Sequence, residues 1–174
     1  MGKPNGRPVL ITANGDRSGE RWASLSAHLP TLMEAAPTAL LRELSNGIAG
    51  SAPILRAIFQ DTKGSDQLFG GRAVHSGVLW ALERAAWAED HFSSSCRILA
   101  RLAEIDPGGT YANRPPASLV TIFRPWMPRT SASPEQRLVV LDVLRQSFPT
   151  KSWDLMLALL PNGNGFVLSN EPEY

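Results

Sequence analysis

The sequence predicts an all-α protein of antiparallel helix pairs, stacked as an irregular, right-handed helical-repeat solenoid of the broad HEAT or TPR kind, or gathered as a bundle. Three observations predict it. Apolar residues recur at helical spacing through most of residues 21–161, with almost no strand-like alternation. Prolines stand where helices open, at Pro37, Pro134 and Pro149, where a missing N–H costs nothing and φ is already set. Three junctions also look alike: Ala36-Pro37-Thr38, Trp87-Ala88-Glu89 and Phe148-Pro149-Thr150, followed three positions later by Leu41, Phe92 and Trp153. Such a junction closes one helix, starts the next and anchors it with a large side chain. The spacing between junctions is uneven, so any repeat is irregular.

Taken in order, residues 1–20 carry one short apolar run, Val9-Leu10-Ile11, between Gly and Pro. It makes at most one strand with nothing nearby to pair with, so the segment is expected to be a poorly structured leader or linker. Trp22, Leu25, Leu29, Leu32 and Met33 give Arg21 to Ala35 a helical pattern interrupted at Pro30. Pro37 opens a helix to about Ile48 with Leu40, Leu41, Leu44 and Ile48 on one face. Pro53 begins another short helix bearing Ile54, Leu55, Ile58 and Phe59. Asp61 to Gly71 reads as loop, with Leu68 and Phe69 tucked against the core.

Val74 to Trp87 carries a core stripe of Val78, Leu79, Leu82 and Ala86, with Trp80 and Trp87 on a neighbouring stripe. Glu89 to Glu104 turns Phe92, Cys96, Leu99, Leu102 and Ala103 inward. The two must fold back as a hairpin, because only a residue or two separate them. Asp106-Pro107-Gly108-Gly109 stops the second helix. Ala117 to Arg124 is a short helix ended by Pro125, and Ser133-Pro134-Glu135-Gln136 opens the next with a capping box. Pro149 opens its partner, with Trp153, Met156, Leu157 and Leu160 apolar. Residues 162–174 are expected to form a flexible tail beyond the helical domain of 21–161.

With 174 residues, 43% apolar and 19% charged, one domain with a substantial core is expected. A net charge of +1, without a basic run, argues against a strong grip on nucleic acid. The lone cysteine, Cys96, excludes an internal disulfide and a Cys-based zinc site. No signal peptide or membrane-length apolar run is present, so a cytoplasmic setting without membrane contact is expected.

Chemistry is thinly represented. His28, His75 and His91 have no partner at metal-ligand spacing, and Cys96 lies on an apolar face. Neither Gly70-Gly71 nor Gly108-Gly109 follows a strand as a phosphate loop would. No catalytic residue, metal or cofactor is therefore assigned. The most unusual stretch is Asp106 to Trp126. It sets Asn113 and Arg114, then Arg124 and Trp126, among rigid prolines, with Arg129 just beyond. One reading is a recognition surface, since Arg and Trp dominate interface hot spots. The other, which carries more weight, has Asn113 and Arg114 satisfying helix-end carbonyls and Trp126 packing the next repeat.

The run LWALERAAW, ILARLAEIDPGG, ANRP, IF, PW and TSAS, within about Trp22 to Pro161, resembles a helical-repeat region of large bacterial proteins. These are multidomain, STAND/NACHT-like ATPases of antiphage defence. The resemblance implies sensing or scaffolding, by a fragment or stand-alone copy of that region, and carries over no functional residue. No Walker lysine loop or effector domain accompanies it. The resulting expectation is a non-catalytic module for protein interaction or ligand sensing, whose partner is a protein or other domains of a larger protein. The alternatives are a small hydrolase or nuclease whose cleft gathers His75, His91 and acidic residues, or a nucleic-acid binder with Arg97, Arg101, Arg114, Arg124 and Arg129 on one concave face.

Overall fold

The computed structural model describes residues 7–60, 74–111 and 113–160, and among these every regular element is helical. The expected loop at 61–71, with Leu68 and Phe69, and the expected tail at 162–174 lie outside the described residues.

The leader assignment for residues 1–20 is corrected at once, because Arg7–Asn14 forms helix α1. Leu10 and Ala13 are buried, and Asn14, one position on, ties the helix to the rest of the fold. The Asn14 side-chain amide donates to the Glu43 carbonyl at 2.8 Å and to its carboxylate at 3.2 Å, while Trp22 Nε1 donates to Asn14 Oδ1 at 3.1 Å. Glu43 also accepts from Arg42 Nε at 3.2 Å and Asn46 Nδ2 at 3.0 Å. Burial opposes its ionisation, but the bonds from Asn46, Arg42 and Asn14 outweigh that and lower its pKa. A three-residue apolar run was thus one turn of an amphipathic helix.

Helix α2 (Glu20–Leu25) passes through a 3₁₀ turn, Ser26–His28, into α3 (Leu29–Ala35). The expected interruption at Pro30 has this form because Pro30 has no N–H to offer the Ser26 carbonyl. That turn is where α5 (His75–Trp87) makes its closest approach. A Cβ on Gly77 would stand 2.6 Å from the Ser26 carbonyl carbon and nearer still to its oxygen, and the Ser26 hydroxyl donates to the Val74 carbonyl. Only glycine fits there.

Helix α4 (Pro37–Gly47) follows α3 across Ala36 alone, and α9 (Pro149–Leu159) follows α8 (Pro134–Ser147) across Phe148 alone. Both single-residue hinges share one backbone geometry, with φ/ψ of −151/62° and −138/61°. Each N–H returns to the residue four back, at 2.9 and 2.7 Å, and each carbonyl accepts from the residue four on, at 3.1 and 2.9 Å. The cause is the proline that follows, which expels its predecessor from the helical region. Between α5 and α6 (Glu89–Ile105), Ala88 has no such neighbour and is extended instead, with φ/ψ of −84/132°. The capping box on α8 is present as expected, with Gln136 N–H donating to Ser133 Oγ and Ser133 N–H to Gln136 Oε1.

The hairpins stack in chain order, with α3 on α5 and α4 on α6. Helix α7 (Pro115–Phe123) then lies against α5, α6 and α9, and α8 and α9 both reach α6. Helix α6 is therefore the spine. Phe92, Cys96, Leu99 and Leu102 are buried on it, and Ile98 and Ala100 widen its apolar face enough to serve neighbours on several sides. Ile54–Phe59 forms a 3₁₀ helix that plugs Leu55, Ile58 and Phe59 into the same core.

Candidate functional site: an aromatic groove over α5

Helix α5 uses Val78, Leu79, Leu82, Ala85 and Ala86 to face the core, which turns Trp80, Arg84 and Trp87 outward. Trp80 and Trp87 are 55% and 57% exposed, two helical turns apart. They line a groove of about 690 Å³ whose walls come from every side. Pro30 and Glu34 belong to α3, Glu83 and Arg84 to α5, Asn113 to the loop before α7, Thr121 to α7 and Arg129 to the loop after it.

Specific bonds fix these walls. Arg84 pairs with Glu34 across the α3–α5 contact. Ser118 Oγ donates to Glu83 Oε1 at 2.6 Å, tying α7 to α5. Both the N–H and the hydroxyl of Ser131 donate to the Trp87 carbonyl, at 2.9 and 2.6 Å, so the loop carrying Arg129 closes the last turn of α5. Both groove carboxylates are thereby engaged. Arg129 makes no ion pair among the described residues and is exposed, so beside the Arg84–Glu34 pair the groove holds one further charge of each sign, Arg129 and the Glu83 carboxylate that a neutral hydroxyl touches.

The residues singled out from sequence divide. Asn113 lines the groove, with its carbonyl 2.8 Å from His75 Nε2 and its side-chain amide donating to Ser76 Oγ at 3.1 Å. Arg114 is no surface residue, which corrects its place in the binding set and agrees with the weightier reading, in which it satisfies a helix-end carbonyl. Only 11% of its side chain is exposed, and Nη1 donates to the Phe59 carbonyl at 2.8 Å and to Asp106 Oδ1 at 3.0 Å. Trp126 goes the other way: it is 59% exposed and carries the Arg124 guanidinium over its ring at 5.7 Å.

No family model, curated protein or solved structure matches the chain. The groove must therefore be judged on its own chemistry. His75 is buried at the start of α5, packed between Phe59 and Tyr111, and His91 lies in the first turn of α6 at the opposite end of the hairpin. The cleft that a hydrolase reading needs from these two is not formed. Among the described residues, no group of three or more His, Cys, Asp or Glu is placed to hold a metal ion. Burial raises the Cys96 thiol far above its ordinary range, so it is held as the unreactive thiol. Nor do the five arginines share one face. Arg97 and Arg101 line a separate groove with Ser45 and Phe148, and Arg101 is spent on Glu104 and the Gly50 carbonyl, each at 3.0 Å. No helix among the described residues is long and apolar enough to cross a membrane.

The sequence reading set the two indoles off the core stripe of α5 but assigned them to no site. The available signal was their seven-residue spacing on a helix whose other face already supplied a full core stripe.

Proposed function

We propose that the chain is a non-catalytic recognition module that takes an acidic, amphipathic segment of a protein partner into the groove over α5. The observation that carries this reading is the exposure of Trp80 and Trp87 on one face, inside a groove braced by three other segments. Indoles held rigidly in that way are the side chains that anchor interfaces. The acidic character follows from charge: Arg84 offsets Glu34, and Arg129 with Arg124 in the same loop make two cations without an ion pair among the described residues, against the single carboxylate of Glu83, which a neutral hydroxyl touches.

The wider reading is a helical-repeat array serving as the sensing or scaffolding part of a larger bacterial defence protein. Its support is the pairwise stacking of the first two hairpins and the shared hinge geometry at Ala36 and Phe148. The departure at Ala88 and the insertion of α7 match the irregular spacing of the sequence.

The test is affinity capture from bacterial lysates, with and without phage infection, by the wild-type chain and by Trp80→Ala/Trp87→Ala and Arg129→Glu variants. A partner identified by mass spectrometry is then titrated as a purified protein. The reading requires one partner lost by both variants, with affinity falling about 30-fold or more for the indole pair. Equal binding by all three chains sinks it.

A further inference from the structure

Helices α6, α7 and α9 leave a socket of about 160 Å³ between them. Its floor is apolar and buried, with Ala103 from α6, Leu119 from α7 and Leu155 from α9. Ala117 and Ala158 stand on its walls, where their methyl groups leave the room that larger side chains would fill. Lys151 and Asp154 on its rim pair with each other at 3.6 Å, so the mouth offers no net charge to an ionic ligand. Cavities of about 150 Å³ lined by aliphatic side chains stay dry and take a benzene-sized ring. The socket has the volume and the chemistry for one such ring.

We infer that the socket is filled by the phenyl ring of Phe166, from the segment that follows α9, so that the chain locks α9 onto α7 with its own side chain. Residues 161–174 lie outside the described residues; the occupant follows from their sequence and from the point where they begin. Leu160 leaves α9 in extended backbone, with φ/ψ of −68/143°, as a residue before proline does. It is two residues beyond Ala158 on the socket wall. Pro161-Asn162-Gly163-Asn164-Gly165 then supplies two Asn-Gly pairs, the residues that reverse a chain, and the apolar run Phe166-Val167-Leu168 comes next. Six residues from Leu160 span at most about 20 Å, so a reversal there returns Phe166 to the neighbourhood of Ala158. The uncharged ring matches the apolar floor and the self-cancelling rim. Tethering then decides between this ring and a free molecule. A site for one ring binds free compounds weakly, whereas a side chain held six residues away meets it at an effective concentration on the order of millimolar.

The test uses the complete chain with isotope-labelled alanine methyl groups. Nuclear Overhauser contacts should run from the Phe166 ring to the Ala117 and Ala158 methyl groups, and a sample mixing labelled with unlabelled chains should show them to lie within one copy. Benzene is the second probe. Its dissociation constant, read from the same methyl shifts, should fall about tenfold or more in Phe166→Ala, because the ring no longer holds the socket. Leu168→Ala should leave that constant as in the wild type. Equal benzene affinity for the wild type and Phe166→Ala means that the socket stands open to free molecules, and overturns the proposal. Ring contacts found only between copies overturn it by giving the socket to a second chain, and a gain in benzene affinity from Leu168→Ala instead of Phe166→Ala overturns it by naming the wrong side chain. Missing methyl contacts overturn it whatever benzene does.

Discussion

Replacing Gly77 by alanine sets two opposed effects against each other, and their sizes come from the structure. Gly77 is in the first turn of α5, where helix propensity favours alanine by up to about 1 kcal/mol. Against that, the new Cβ would stand 2.6 Å from the Ser26 carbonyl carbon, while ordinary contact begins near 3.4 Å, so α5 must recede by at least 0.8 Å (3.4 minus 2.6). Overpacking of this kind costs about 2–3 kcal/mol, and stretching the Ser26–Val74 hydrogen bond costs about 1 kcal/mol more. The net expectation is a loss of about 2 kcal/mol, or a melting temperature lower by roughly 4–8 °C for a domain of this size. Thermal unfolding followed by circular dichroism measures it. Ser26→Ala should not rescue the variant, because the clash is with main chain, and Ser94→Ala on the exposed face of α6 should show the propensity gain alone. A Gly77→Ala melting temperature at or above wild type would falsify the close approach of α5 to the 26–28 turn.

Glu43 should make stability depend on acid. Its pKa is lower folded than unfolded, so its stabilisation is complete at neutral pH and disappears as pH falls through the depressed folded value; urea midpoints of wild type and Glu43→Gln should converge at low pH, and a constant gap across pH would contradict the network. Arg114→Met should cost about 3 kcal/mol in urea unfolding, since it strands Asp106, whose side chain is 8% exposed, whereas a loss under about 0.5 kcal/mol would return Arg114 to the surface set.

What was legible in the sequence was whatever proline and helical period control. The hinges at Ala36 and Phe148, the capping box at Ser133 and the core stripes of α4, α5 and α6 follow from local rules that tertiary packing had no reason to overturn. Helix α1 was not legible, because Val9 and Ile11 disguise the pattern: the residues that hold it are Leu10, Ala13 and Asn14, and Asn14 matters only through Glu43 and Trp22, 29 and 8 residues away. The site was half legible. Asn113 and Arg129 are on the groove, and the helix-end role weighed for Arg114 is met, but which carbonyl and which acid it meets, Phe59 and Asp106, is set only by the fold. The indoles of α5 were legible as lying off the core stripe, but only the fold brings Pro30, Thr121 and Arg129 around them to make a groove.

Of the chain's five tryptophans, Trp22 alone is fully buried, and Trp80, Trp87, Trp126 and Trp153 are each more than half exposed. Native emission will therefore already be red-shifted, and unfolding will move it little, so fluorescence is a poor gauge of folding in this protein. It is a good gauge of occupancy. With Trp126 and Trp153 replaced by phenylalanine, a blue shift on mixing reports water leaving the α5 groove. The side chains that would make the contacts thus carry the optical signal that times them.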